Sequence, residues 1–143
     1  MSRGVDFFAM FQGYVEHARQ KLPGALVALN PGGTPAESFM DFTDVMVMRE
    51  GYAEETLVGA DLQPAYLAYE APEWAKHYAR ARFWHLVHDA PGGLLAKAEM
   101  KKYVDHARAQ RAGWIYVTDQ KFADNPWDAL MSLWDDLAKV VGR

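Results

Sequence analysis

The stretch Ala25-Leu26-Val27-Ala28-Leu29-Asn30-Pro31-Gly32-Gly33 decides the reading of the chain. A short, unbroken apolar run leaves no side for solvent, so it suits a strand buried on both faces, and the Asn-Pro-Gly-Gly that follows is turn chemistry. The design recurs. Residues 45–48 are apolar and end in Arg49-Glu50, residues 84–88 form a third run, and residues 114–117 form a fourth that closes on Thr118-Asp119.

Helical patterns surround these runs. Phe7, Phe11, Tyr14 and Ala18 recur at helical spacing until Pro23-Gly24 ends the segment. A second helix is predicted over residues 73–82, and a third where Ala96, Met100, Tyr103, Val104 and Ala107 fall on one stripe. A last helix carries Trp127, Leu130, Met131, Trp134 and Leu137, with Asn125 as cap, Pro126 at the first helical position and Asp128 in the positive first turn. Strands alternating with helices imply parallel strands joined by right-handed crossovers, hence an α/β layer or barrel. No linker or repeat interrupts residues 1–143, which read as a single domain.

Composition narrows the function. The chain of 143 residues is 50% hydrophobic and 24% charged, enough apolar content for one folded core. Fifteen Lys and Arg against nineteen Asp and Glu give a net charge of -4, which argues against nucleic acid as a partner. With no Cys, thiolate chemistry and Cys-ligated metal sites are excluded, and nothing requires a metal or organic cofactor. Neither a run of about 18 apolar residues nor a secretory hydrophobic segment is found, so no membrane partner is expected. The chain as written is expected in the cytoplasm, and outside the cell if it is a truncated fragment.

In parallel α/β folds ligands bind at the carboxyl ends of the strands. Asn30, Glu50, His88 and Asp119 stand there. Two carboxylates with an amide and an imidazole between them are equipment for acid/base work on a polar substrate such as a sugar, making Glu50 and Asp119 the catalytic candidates. Tyr52, Trp74, Tyr116 and Trp127 lie in or near the same loops and can stack on a pyranose, so with Asn30 and His88 they are the substrate-binding candidates.

Plainer readings exist for several of these. The Asn-Pro-Gly-Gly string is also an ordinary tight turn, Glu50 a solvated strand end, and Asp119 the start of a turn. His85 and His88, three apart on a strand, point to opposite faces, which opposes a two-His metal site and favours core or hydrogen-bonded roles. Lys97, Lys101, Lys102 and Arg108 read as the solvated face of their helix. The long segment from residue 51 to 72 is positioned to cover a site.

Taken in order, Leu29-Asn30-Pro31-Gly32, Asp44-Val45-Met46-Val47 leading to Glu50-Gly51, Ala71-Pro72 with Trp74, His85-Leu86-Val87-His88, Tyr116-Val117-Thr118-Asp119, and Asn125-Pro126-Trp127 with Trp134 resemble the C-terminal half of the spherulin-4 (spherulation-specific family 4) proteins. That resemblance implies a (β/α)8 barrel and glycoside hydrolysis of the endo-α-1,4-galactosaminidase type on galactosamine-containing polysaccharide. It assigns Glu50 to the family's acidic residue and Asn30 to its Asn-Pro-Gly turn. The family's Asp-Glu pair lies on an earlier strand with no counterpart here, and Arg49 stands where an aromatic residue is more usual.

A complete barrel takes about 250 residues. Four strands therefore predict a half barrel, with one apolar face and two edges open, and closure by a second copy into a homodimer. Asp119 at the end of the last strand, or a Glu50 contributed by the second copy, is then expected to supply the missing carboxylate. The alternatives are a monomer whose first helix covers the open face, and a non-catalytic carbohydrate-binding or structural remnant. A flavodoxin-like nucleotide or phosphate binder fits the alternation but lacks a glycine-rich strand-to-helix turn.

Overall fold

The computed structural model describes residues 6–92, 94–132 and 134–142. Four strands, β1 (Ala28–Leu29), β2 (Val45–Tyr52), β5 (Phe83–His88) and β6 (Trp114–Val117), form one all-parallel sheet in the order β1-β2-β5-β6. A two-stranded antiparallel hairpin, β3 (Thr56–Val58) and β4 (Asp61–Gln63), sits inside the long connection from β2 to β5. Helix α1 (Phe7–Lys21) precedes the sheet, α2 (Leu94–Ala109) joins β5 to β6, and α3 (Trp134–Val141) follows it.

β1 is shorter than its apolar run because its entry is tied by other bonds. The Val27 carbonyl accepts from the Asp44 and Val45 amides and the Thr43 hydroxyl, while the Val27 N–H donates to the Asp44 carboxylate at 2.9 Å. The Asp6 carboxylate caps α1 by accepting from the Ala9 amide. The helix predicted over residues 73–82 is instead two 3-10 turns, Glu73–His77 and Arg80–Arg82. They are split where Tyr78 turns extended and packs edge-on against Trp74 and Phe83. The last helix starts at Trp134 rather than beside Asn125. That residue adopts a left-handed φ of 60°, and its side chain accepts from the Trp127 amide in a turn of its own. Only the β5–β6 crossover is an α-helix, so the strand–helix alternation is less regular than expected.

Register separates the two faces of the sheet. Met46 and Phe83, then Gly51, Val87 and Val117, share the face beneath the helices. α2 seats Met100, Tyr103, Val104 and Ala107 against Val87 and Val117, and α1 brings Phe8, Phe11 and Val15 to the cluster around Met46 and Phe83. α1 therefore lies with the buried face and leaves the opposite face uncovered, contrary to the closed-monomer alternative. That opposite face carries Val47, Trp84 and Trp114 in one row and Glu50, Leu86 and Tyr116 in the next. It holds two adjoining apolar grooves of about 430 and 350 Å³ that share Trp84, Tyr116 and Leu130. On the solvent side of α2, Lys101 pairs with Asp105 and Lys102 with Glu99. The side chains of Ala96 and Lys97 lie outside the described residues. No helix among the described residues is long and apolar enough to cross a membrane.

Candidate functional site

β2 contains an irregularity that sets the site. Val47 pairs with Trp84, but the next pairing is Arg49 with His85, so Met48 is the extra residue of a bulge. Regular alternation from Val47 would send Glu50 to the helix side. The bulge turns it back to the face of Val47, Leu86 and Tyr116.

Asn30 follows β1 immediately and meets Glu50 there. Its amide nitrogen donates to Glu50 Oε2 at 2.5 Å, and its amide oxygen accepts from the Gly32 N–H at 3.1 Å. The second bond fixes which end of the amide faces the carboxylate. It depends on Gly32 adopting a φ of 80°, a conformation that glycine enters without steric penalty.

Around Glu50 lies a cavity of about 400 Å³ with Tyr52, His88 and Phe122 on one side and Arg49, Gln63 and the hairpin residue Val58 on the other. Tyr52 meets His88 edge-on at 4.5 Å, and Phe122 lies tilted over the same imidazole at 5.2 Å. His88 is 2% exposed and its Nδ1 is 2.8 Å from the Asp89 carboxylate. Arg49 belongs to the helix-side register, yet its guanidinium folds over Gly51 to reach the Pro64 carbonyl at 3.3 Å and the cavity wall. A Cβ on Gly51 would meet that guanidinium at 2.8 Å, so the glycine makes the path.

Asn30, Glu50, Tyr52 and His88 are thus gathered in one place. Trp127 joins from beyond His88, at 5.9 Å, and packs with Tyr116 in the neighbouring groove. Trp74 is elsewhere, packed with Tyr78 and Phe83 in the cluster behind the sheet, because an indole is large enough to complete a core that the 3-10 turns leave thin. Asp119 is also apart from Glu50. It lies two residues beyond Val117 and accepts from both the Ser132 amide, at 3.1 Å, and the Ser132 hydroxyl, at 2.5 Å. Burial raises its pKa, but the two Ser132 bonds together with Asp119's own backbone amide and Gln120 outweigh it and leave the carboxyl below its usual range. Asp119 fastens the segment ahead of α3.

Val58, Gln63, Asp89 and Phe122 were not among the sequence candidates. The His88-Asp89 dipeptide at a strand end was the available signal for Asp89; the others arrive from loops whose path no local pattern reveals. On the far face His85, fully buried, bonds the Tyr66 hydroxyl at 2.7 Å. Burial first, and then the charges of His106 and Arg49, push its pKa down to about 3. Among the described residues no group of three or more His, Asp or Glu side chains is placed to hold a metal ion.

An all-parallel sheet with an amide–carboxylate pair and aromatic walls at the carboxyl ends of its strands defines an α/β protein whose candidate site lies where parallel sheets place their ligands. The chain belongs to the spherulation-specific family 4, Spherulin4, which matches residues 2–141. The crystal structure of Aspergillus clavatus Sph3 in complex with GalNAc shares the fold, with a TM-score of 0.61 at 17% identity over 94% of this chain. The match takes in 52% of the Sph3 chain, so this chain spans about half the length of that relative. No curated protein matches.

Proposed function

We propose that the chain is glycoside hydrolase-like and acts on galactosamine-containing polysaccharide, with Glu50 as acid/base and Asn30 as a contact for a sugar hydroxyl. The observation that carries this reading is the 2.5 Å bond between Asn30 and Glu50 inside an aromatic-walled cavity. A carboxylate held by a neutral donor stays available for proton transfer, and aromatic rings suit the apolar face of a sugar. Family membership and the GalNAc complex of Sph3 support an amino-sugar ligand. The test is release of reducing ends from a galactosamine-containing oligosaccharide. Glu50→Gln is expected to abolish it, and unchanged turnover in that variant overturns the assignment.

One observation favours a second reading, binding without turnover. Glu50 is the only carboxylate among the described residues lining the cavity, and hydrolysis conventionally takes two. A protein that binds such oligosaccharides on a glycan array, with Tyr52 and Trp127 required and no cleavage, belongs to this second class.

The four-stranded sheet is, on this reading, half of an eight-stranded barrel closed by a second copy. Three features support closure: the uncovered aromatic face, the unpaired outer sides of β1 and β6 among the described residues, and the half-length match to Sph3. Pairing β6 of one copy with β1 of its partner keeps all strands parallel and brings both Glu50 side chains to one mouth. Light scattering is expected to give twice the 16.1 kDa chain mass, and Trp114→Asp to give monomer. A folded wild-type monomer overturns the closure.

A further inference from the structure

We propose that His88, held by Asp89, is the second proton-transfer group of the Glu50 site, an inference that rests on the hydrolase reading above. A carboxylate only accepts, so the 2.8 Å contact between His88 Nδ1 and Asp89 Oδ2 places the proton on Nδ1 and leaves Nε2 as the working nitrogen. Asp89 is built to hold that pose. It sits at a φ of 57°, a left-handed conformation uncommon outside glycine, directly at the end of β5. The same Oδ2 accepts from the Phe122 amide at 2.8 Å, which pins the ring that covers the imidazole, and Lys121 Nζ stands 3.7 Å from Oδ1. Tyr52 closes the other side, so the imidazole is clamped as well as oriented.

The separation from Glu50 suits a pair of acid and base groups. Glu50 is opposite Leu86, two residues before His88 on the same face, and both side chains line the one cavity. With strands ~4.8 Å apart and a rise of ~3.3 Å per residue, their Cα atoms are about 8 Å apart. Inverting hydrolysis holds its two reacting groups roughly 6.5–9.5 Å apart to leave room for a water, and side chains rising from one face of adjacent strands at this Cα spacing can reach a separation of that order. In the step, protonated His88 gives the Nε2 proton to the glycosidic oxygen as the C1–O bond breaks. Water adds to C1 and passes its proton to the Glu50 carboxylate. Solvent then takes the proton from Glu50 and returns one to His88, so the net change is addition of one water. Asp89 is a positioning residue that stabilises the imidazolium.

The test compares a galactosamine-containing oligosaccharide with the same oligosaccharide carrying a dinitrophenolate leaving group, which needs no acid. His88→Gln is expected to lose about 10²–10⁴-fold on the first substrate and far less on the second. Asp89→Asn keeps a residue tolerant of positive φ and, with its amide oxygen in the place of Oδ2, still accepts from the Phe122 amide and from His88 Nδ1–H, but it removes the negative charge beside the ring. It is expected to leave the His88 proton on Nδ1 in imidazole nitrogen spectra and to show the same substrate dependence in milder form. Equal losses on both substrates, or no loss, overturn the proposal. If Glu50→Gln is inactive while both variants are unaffected, only the His88 assignment falls. If the wild type cleaves neither substrate, the hydrolase reading falls with it.

Discussion

Asn30 and Glu50 are joined side chain to side chain across neighbouring strands, and each is aimed by a backbone irregularity, the left-handed turn at Gly32 and the bulge at Met48. Function and fold are separable here, because Asn30 is exposed and Glu50 half-buried at the ends of the strands, outside both buried core clusters. Asn30→Ala is expected to cut sugar affinity or turnover by about tenfold, the worth of one hydrogen bond involving a charge, while stability changes by less than ~1 kcal/mol. Isothermal titration beside thermal unfolding checks both halves. A large loss of stability with sugar binding intact would assign Asn30 to the turn alone.

His85 makes stability depend on pH. Its folded pKa of about 3 lies below the ordinary histidine value of 6.5, so the unfolded chain takes up a proton that the folded chain refuses. Stability is therefore full above the unfolded value and falls as pH drops from 6.5 toward 3. The slope is at most ~1.4 kcal/mol per pH unit for this one proton. Urea unfolding at pH 7, 5.5 and 4.5 should show the decline, and His85→Gln should flatten it. A slope unchanged in that variant assigns the acid sensitivity to other groups.

Much of the candidate site's placement was legible because strand ends announce themselves. The apolar runs stop at Asn30, Glu50 and His88, and a parallel sheet brings such ends together whatever the loops do. The bulge was not legible. Met48 looks like any other strand residue, yet if it paired in regular alternation Glu50 would face α2's side of the sheet. Trp74 misled because an aromatic residue near a strand end serves a core as readily as a sugar. Asp119 misled because Ser132, thirteen residues away, claims its carboxylate. The last helix misled because Asn125 suits a left-handed turn as well as it suits a cap. For Trp74 and Asp119 a tertiary partner settled between two local readings, and for Asn125 the left-handed turn closed on the Trp127 amide did so.

Asp44 joins the ends of β1 and β2 at their amino side. Its Oδ2 accepts from the Val27 amide at 2.9 Å and its Oδ1 from Arg19 at 3.1 Å. The Val27 bond is the main reason its carboxyl titrates below the usual range. Burial opposes this, and Arg19 reinforces it through its bond and its charge. A depressed carboxyl contributes stability above its unfolded pKa and loses it as pH falls through the folded one. Asp44→Asn is expected to be about 1 kcal/mol less stable than wild type at pH 7. The difference should hold down to the ordinary carboxyl value near 3.8 and fade only below it. Constant destabilisation from pH 7 to 2.5 would mean shape, not charge, is what Asp44 supplies.

Gly113 is where the sheet's last strand passes closest to the preceding turn. Its amide donates to the Phe83 carbonyl at 3.0 Å, and the Trp114 indole then donates to the Ala81 carbonyl at 2.6 Å, so β6 enters the sheet pressed against residues 80–83. A Cβ at position 113 would stand 2.5 Å from the Arg80 carbonyl oxygen and 2.8 Å from Ala81 Cα. Both neighbours are backbone and cannot swing aside as a side chain would. Gly113→Ala must therefore displace the 3-10 turn or the start of β6, at a cost of about 1–3 kcal/mol by the usual scale for overpacking. Gly33→Ala is the control, since a Cβ there meets nothing within 4 Å. Thermal unfolding should find the first variant clearly less stable and the second close to wild type. The displacement also shifts Trp84 and Trp114, which face the open grooves, so if two copies close as proposed, Gly113→Ala is expected to weaken their association where Gly33→Ala does not. Equal stability of the two variants would mean that β6 relaxes away from the turn without loss, and that its close approach contributes nothing to the fold.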